Sequence, residues 1–286
     1  MSGSHGHMLS WPLPLAVVVI VELVYLRGWL SLRSAYPDLI GRWRLAAFTT
    51  GLASVWIAVA SPLSTLDHQS LTIHMMKHLL LTTVAAPLVL LGAPVFPLAC
   101  GLPKVFIKSH PALGFLPARW LHPVLCWLAG TAAVIGWHLP AAFQLGMLSD
   151  WGHRLEDVCF LVAGLLFWRP IVQSSPSATK SHGWALALYL FLATLPCDIL
   201  SAFLVFCDRQ VYPSYLSTTQ LFGLSPLEDQ ECAGALMWVW VTFAYLIPAV
   251  VITVHILSPS NMYTQRPVQT ANQIAAGRAR NGEEVL

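Results

Sequence analysis

The chain of 286 residues is 56% hydrophobic and only 10% charged, with a mean hydropathy of +0.65. A soluble domain carries roughly 25% charged residues, so most of this chain has no water-compatible surface. The composition therefore predicts an all-α, polytopic membrane protein, and the formal net charge of +2 carries no nucleic-acid signal.

Residues 1–11 are expected to precede the membrane domain. MSGSHGHMLS lacks the basic region of a cleavable signal peptide, and His5 and His7 within it carry no argument. A membrane helix needs about 20 predominantly apolar residues. Seven stretches meet that length, near 12–32, 43–65, 70–92, 121–142, 152–173, 183–206 and 233–257. They form one transmembrane domain over 12–258, followed by a polar tail over 259–286. Pro87, Gly164, Pro196 and Pro248 fall inside spans, where membrane helices tolerate them.

Lys and Arg bias predicts the orientation. Arg27, Arg33, Arg42, Arg44, Lys104, Lys108, Arg119, Arg169, Lys180, Arg266, Arg278 and Arg280 all belong to one side. Opposite them stand only Arg154 and Arg209, with Lys77 inside span 3. The N-terminus is thus expected outside and the C-terminus in the cytoplasm. Asp67, Asp150, Asp208, Glu228, Asp229 and Glu231 gather on the outer side, with Glu156 and Asp157 close to it. Acids contribute little to topology, so their placement needs another reason.

The histidines share that outer layer. His68 lies in the turn between spans 2 and 3, and His74 and His78 lie in the first turns of span 3. His138 ends span 4 in GWHLPAAF, and His153 opens span 5 in DWGHRLEDVCF. Residues four apart project from one helix face, which pairs His74 with His78 and His153 with Asp157, with Glu156 beside them. Imidazole and carboxylate donors suit zinc, copper or iron, and the thioethers of Met75, Met76 or Met237 would favour Cu(I).

A lone membrane histidine is more often an interhelical hydrogen-bond partner. Several at one depth, together with carboxylates, shift the balance towards a metal-related function. Lys77 argues against a cation. It either snorkels to the outer headgroups or pairs with Asp67 or a span 5 acid. Arg154 reads as an interfacial anchor. Glu22 and Asp198 are deeper acids, read as protonated hydrogen-bonding groups, with a relay to the site as the alternative. Cys207 and Cys232 flank one outer loop, where either a disulfide or a thiolate pair for Cu(I) is expected.

Four segments then resemble one family: HMMKHLLLTTVAAPLVLLGAP, GWHLPAAF, HRLEDVCFLVAGLLFWRPIV and VYPSYLSTTQLFGLSPLEDQECAGALMW. In this order they resemble the CtaG-type cytochrome c oxidase assembly factors, seven-span proteins implicated in equipping the oxidase with copper. The resemblance covers about residues 12–258 and implies that His74, His78, His138, His153 and Asp229 occupy family motif positions. Where the family often has Glu-His in span 5, this chain has Glu156-Asp157. An Asp ligand there would be a harder donor, making Cu(II) or zinc more competitive.

The expected site is therefore a metal centre of His74, His78, His138, His153 and Asp157. His68, Met75, Glu156, Asp229 and Met237 are second-sphere groups or additional ligands. The resemblance implies copper as the ion, with zinc or haem less favoured. It also implies a cytochrome c oxidase subunit and a periplasmic copper donor as partners, in a bacterial inner membrane. No catalysis is expected. The competing readings are a haem-binding membrane oxidoreductase and a metal or proton transporter built around Glu22 and Asp198. The lack of a lysine in span 7 argues against a retinal protein.

Overall fold

A computed structural model of the chain describes residues 12–35, 41–61, 63–103, 122–173, 180–216 and 223–258. The expected N-terminal segment 1–11 and tail 259–286 lie outside the described residues, as do Lys104, Lys108, Arg119, Arg266, Arg278 and Arg280. Among the described residues there are helices and turns but no strand. In chain order the helices are α1 (Pro12–Ala35), α2 (Arg42–Ala60), α3 (Leu63–Leu66) and α4 (Leu71–Leu79). A π-helical segment (Leu80–Ala85) joins α4 to α5 (Ala86–Leu91), and α6 (Val95–Gly101) follows. Beyond these come α7 (Pro123–His138), α8 (Pro140–Met147), α9 (Asp150–Val172), α10 (Lys180–Phe206), a 3-10 turn (Pro213–Tyr215) and α11 (Pro226–Leu257).

Five of these units are long and apolar enough to cross a membrane, and six if the bent pair α7–α8 is one broken span. The predicted continuous span over 121–142 is therefore corrected: the chain turns by 76° between α7 and α8. Proline explains the break. Pro140 has no N–H to continue the α7 ladder, and its ring forces Leu139 out of helical geometry, to φ −64° and ψ 131°. His138 is left as the last residue of α7, buried at the corner. The last predicted span starts earlier than expected, because Ser225 and Glu228 form a capping box that begins α11 at Pro226.

Lipid-facing and core-facing surfaces separate along the helices. Side chains such as Ile20, Phe191, Ile199 and Val251 stand exposed, an unfavourable arrangement in water that hydrocarbon removes. The main core runs between α4, α9, α10 and α11 and includes Leu71, Met75, Phe167, Tyr189, Leu190, Leu204, Met237 and Tyr245. A smaller cluster of Tyr25, Trp29 and Phe48 joins α1 to α2. There α1 and α6 approach very closely: a Cβ on Gly28 would lie 1.8 Å from the Pro97 carbonyl oxygen, and one on Gly101 would lie 1.9 Å from that of Val24.

The π segment gives α4 its irregular course. Pro87, two residues after the segment ends, cannot donate to a carbonyl one turn back, and the helical register slips just before it. The displaced carbonyls find other donors. Trp168 Nε1 donates to the Thr82 carbonyl at 2.8 Å, and the Thr82 and Thr83 hydroxyls donate to those of His78 and Leu79, each at 2.7 Å. Gly164 of α9 packs directly on this segment, where a Cβ would meet the Thr82 Cα at 3.0 Å. This contact brings the polar part of α9 against α4.

Candidate metal centre

The start of α4 is held by a carboxylate from the other end of the chain. Asp229 accepts from the Ser70 hydroxyl at 2.8 Å, the Leu71 N–H at 2.6 Å and the Thr72 N–H at 3.3 Å. Its own carbonyl accepts from the Thr72 hydroxyl at 3.0 Å. The first N–H groups of a helix have no intrahelical partner, and an anion there also meets the positive end of the helix dipole. The neighbouring Gln230 braces the loop behind it, donating to the Leu204 and Arg209 carbonyls and accepting from the Val211 N–H. Asp229 was expected among the additional ligands; the structure uses it as a helix cap.

With α4 fixed, His74 and His78 project together. Their Nε2 atoms lie 2.8 Å apart, and each lies near one oxygen of Glu156 on α9, at 3.4 and 3.3 Å to Oε1. All three side chains are buried. A circle through the three donor atoms has a radius of about 1.8 Å, a little less than the 2.0–2.1 Å bonds of zinc to imidazole or carboxylate. One ion just above their plane can therefore reach all three without rearranging the backbone. The rings are held by packing: His78 stacks on Phe160 with centroids 4.1 Å apart, and His74 lies 5.0 Å from Phe143. Among the described residues their Nδ1 atoms have no hydrogen-bond partner.

Beside it, a second polar cluster has a different character. Lys77 is fully buried, with its ammonium 2.7 Å from Asp67 Oδ2 and 2.9 Å from Asp157 Oδ1. His153 Nε2 lies 2.8 Å from Asp67 Oδ2 and 2.5 Å from Lys77 Nζ. Asp67, His68 and His153 offer donor atoms close enough together for an ion, but the lysine ammonium sits against two of these three residues. Like charges exclude a metal there. Of the two alternatives for Lys77, pairing with Asp67 and with an acid of span 5 is the one found.

Asp67 lies in the turn before α4. Burial pushes its carboxyl up, yet the His153 hydrogen bond and the Lys77 charge outweigh that and hold it well below the usual carboxylate range. Burial lowers the His68 imidazole, against the opposing pull of Asp67. Tyr215 donates to the Asp67 carbonyl at 2.8 Å, tying the 3-10 turn to the same cluster.

The expected ligand set is thus divided. His74 and His78 converge, and Glu156, expected as a second-sphere group or an additional ligand, joins them. His153 and Asp157 belong to the lysine cluster, while Nδ1 of His153 lies 3.6 Å from Glu156 Oε2. Asp157 and Glu156 are neighbours in sequence but sit about 100° apart around α9, so one faces the histidine pair and the other Lys77. His138 stands apart from both groups: its Nδ1 donates to the Val134 carbonyl at 2.7 Å and its Nε2 faces Met75 Sδ at 3.2 Å. Met237 is buried in the neighbouring core.

Sequence reasoning left Ser70, Tyr212 and Tyr215 out of the site. The tyrosines of VYPSY were its only signal. Tyr212 donates to the His138 carbonyl at 3.0 Å, which fixes the end of α7. Cys207 and Cys232 are free thiols, so of the two alternatives given for them the disulfide is not the one found. Arg154 lies over the exposed Trp151 ring at 5.8 Å, as suits an interfacial anchor. Glu22 accepts from Thr49 at 2.6 Å.

Comparison with known proteins matches residues 23–258 to the cytochrome c oxidase caa3 assembly factor family, Caa3_CtaG. The chain belongs to this family. Its match covers α4, α7, α9 and α11, and so every residue of the two polar clusters. An uncharacterized protein of Mycobacterium leprae is 22% identical over 261 residues, covering 85% of this chain and 38% of the relative. Uncharacterized proteins of Mycobacterium bovis and Mycobacterium tuberculosis are each 24% identical over 238 residues, covering 78% of this chain and 35% of the relative. The chain therefore spans little more than a third of the length of these curated relatives. No solved structure matches the chain.

Proposed function

We propose that this chain is a non-enzymatic assembly factor that binds copper at His74, His78 and Glu156 and passes it to a cytochrome c oxidase subunit. The observation that carries the metal reading is the convergence of three buried donor atoms within 3.4 Å of one another, with no lysine in ion-pair contact with Glu156 among the described residues. Family membership supplies the oxidase as the destination, and the resemblance of the four motifs supplies copper.

Charge supports a divalent ion at this triad. With their carboxylates ionised, Asp67, Glu156 and Asp157 place three negative charges beside the single positive charge of Lys77. A divalent cation brings this buried group to neutrality, and two imidazoles with one carboxylate suit Cu(II) or zinc. Haem fits poorly. Axial ligands approach a macrocycle from opposite faces, whereas these two Nε2 atoms face each other 2.8 Å apart on one helix.

The membrane arrangement belongs to the same proposal. Helix α9 has 23 residues, about 35 Å of helix, enough for a hydrocarbon core of about 30 Å. Its acids turn inward to Lys77 and the histidines, so it serves as a seventh span despite its charges. Excess Lys and Arg on the opposite side then put the N-terminus outside and the metal centre at the extracytoplasmic face of a bacterial inner membrane. A periplasmic donor would load it there.

Metal analysis tests the assignment. Protein purified from membranes, stripped and reloaded with Cu(II), is expected to bind one ion that His74→Ala, His78→Ala and Glu156→Gln each lose, while His68→Ala keeps it. Unchanged stoichiometry in all three triad variants would overturn the ligand assignment. A Soret band in the purified protein would favour the haem reading instead.

A further inference from the structure

His138 and Met75 present an arrangement that the triad does not use. Nδ1 of His138 lies 2.7 Å from the Val134 carbonyl oxygen. A carbonyl only accepts, so Nδ1 carries the proton and Nε2 of the neutral ring carries a lone pair. That lone pair faces Met75 Sδ at 3.2 Å, and a thioether sulfur has no hydrogen to offer. Two Lewis bases therefore point at each other inside the protein, His138 being 7% exposed and Met75 1%. Protonating Nε2 would turn the contact into a hydrogen bond. It would also bury a cation with no carboxylate within ion-pair distance of His138 among the described residues.

Room for an ion adjoins the pair. Met75 and His138 line a cavity of about 50 Å3 whose wall also includes Met237, Cys197 and His78. That space exceeds the roughly 10–15 Å3 that a cavity must offer to hold one water. Thioether, thiol and imidazole are the soft and borderline donors, and no carboxylate lines the cavity. The ring is held in place from three sides: the Val134 carbonyl on Nδ1, the Pro140 bend behind it, and Tyr212 on its own carbonyl.

We propose that Met75 Sδ and His138 Nε2 form a second metal site, selective for a soft monovalent cation, Cu(I), with Met237 and Cys197 within the same cavity wall. The lack of a carboxylate leaves a divalent ion uncompensated there, whereas the Glu156 charge and the surplus acid of the neighbouring lysine cluster favour one at the triad. Met75 follows His74 directly in α4, so the two sites stand on adjacent residues of one helix, a hard one and a soft one. This inference deepens the copper reading above, but neither of its two ligands belongs to the triad, whose His78 shares the cavity wall.

The test separates the two. Full-length protein in detergent is titrated anaerobically with Cu(I) against a chromophoric chelator, and separately with Zn(II), and the Cu(I) form is studied by X-ray absorption. Wild type is expected to show sulfur in the Cu(I) shell. Met75→Leu, close in volume to the original side chain, is expected to lose one Cu(I) equivalent while keeping Zn(II), which also reports that the triad has folded. His74→Ala is expected to lose Zn(II) and keep the sulfur-ligated Cu(I). A wild-type Cu(I) shell of nitrogen and oxygen alone, a reading that needs no variant, would overturn the proposal. So would wild-type Cu(I) affinity and sulfur scattering in Met75→Leu. Failure of Zn(II) to bind wild type, with sulfur still present around Cu(I), would overturn the triad and leave this site standing.

Discussion

Replacing Lys77 with methionine gives the sharpest check on the packing of the site. The ammonium bridges Asp67 and Asp157 at 2.7 and 2.9 Å, with the lysine and Asp67 side chains fully buried and Asp157 7% exposed. Methionine fills similar space but leaves two carboxylates facing each other in a medium that cannot solvate them. Removing one partner of a buried ion pair costs about 3–5 kcal/mol, because the remaining charge is left uncompensated. For a domain of this size such a loss lowers the melting temperature by something on the order of 10 °C. The assay is thermal unfolding of purified Lys77→Met in detergent, with Lys77→Met/Asp157→Asn alongside. Removing one acid together with the lysine is expected to recover part of the loss, since only His153 and Asp67 then remain. A melting temperature for Lys77→Met equal to wild type would refute the buried bridge and return Lys77 to a headgroup-facing position.

Asp229→Ala removes the carboxylate that accepts three donors at the start of α4, and is expected to cost about 2–3 kcal/mol. Hydrogen exchange of the Leu71 and Thr72 amides should accelerate specifically, and an unchanged rate would argue against the cap. Gly28→Ala must push α1 away from the Pro97 carbonyl, a clash expected to destabilise by about 1–3 kcal/mol. Gly136→Ala, where a Cβ meets nothing within 4 Å, serves as the neutral control for that melting experiment. Adding Cu(II) at a hundredfold excess over its dissociation constant should stabilise wild type by about 2.7 kcal/mol. In Glu156→Gln that shift should be largely lost, and an equal shift in both proteins would place the ion elsewhere.

Some of this site is legible from spacing alone. His74 and His78 are four residues apart, and helical periodicity puts both on one face whatever surrounds them. The apolar runs predicted helical spans, and the polar residues among them pointed to one end of the bundle as the place for a site. The pairing of Lys77 with Asp67 and a span 5 acid was also within reach, because a buried ammonium has few ways to be satisfied. The corner at His138 had a signal too, in the proline two residues later, but whether a proline kinks or ends a helix depends on what the following segment packs against.

The composition of the chain by itself determined that this is a helical membrane protein, since hydrocarbon requires each span to satisfy its own backbone. Local sequence determined the caps, the proline break and the histidine pair, which depend on neighbours a few residues away. The tertiary structure alone decided which groups share a site. Donor atoms must meet within about 3 Å, and that depends on the rotation of α9 against α4, which sends Glu156 to the histidines and Asp157 to the lysine. It also depends on Asp229, more than 150 residues from Ser70 in sequence, closing the helix end from which those histidines project.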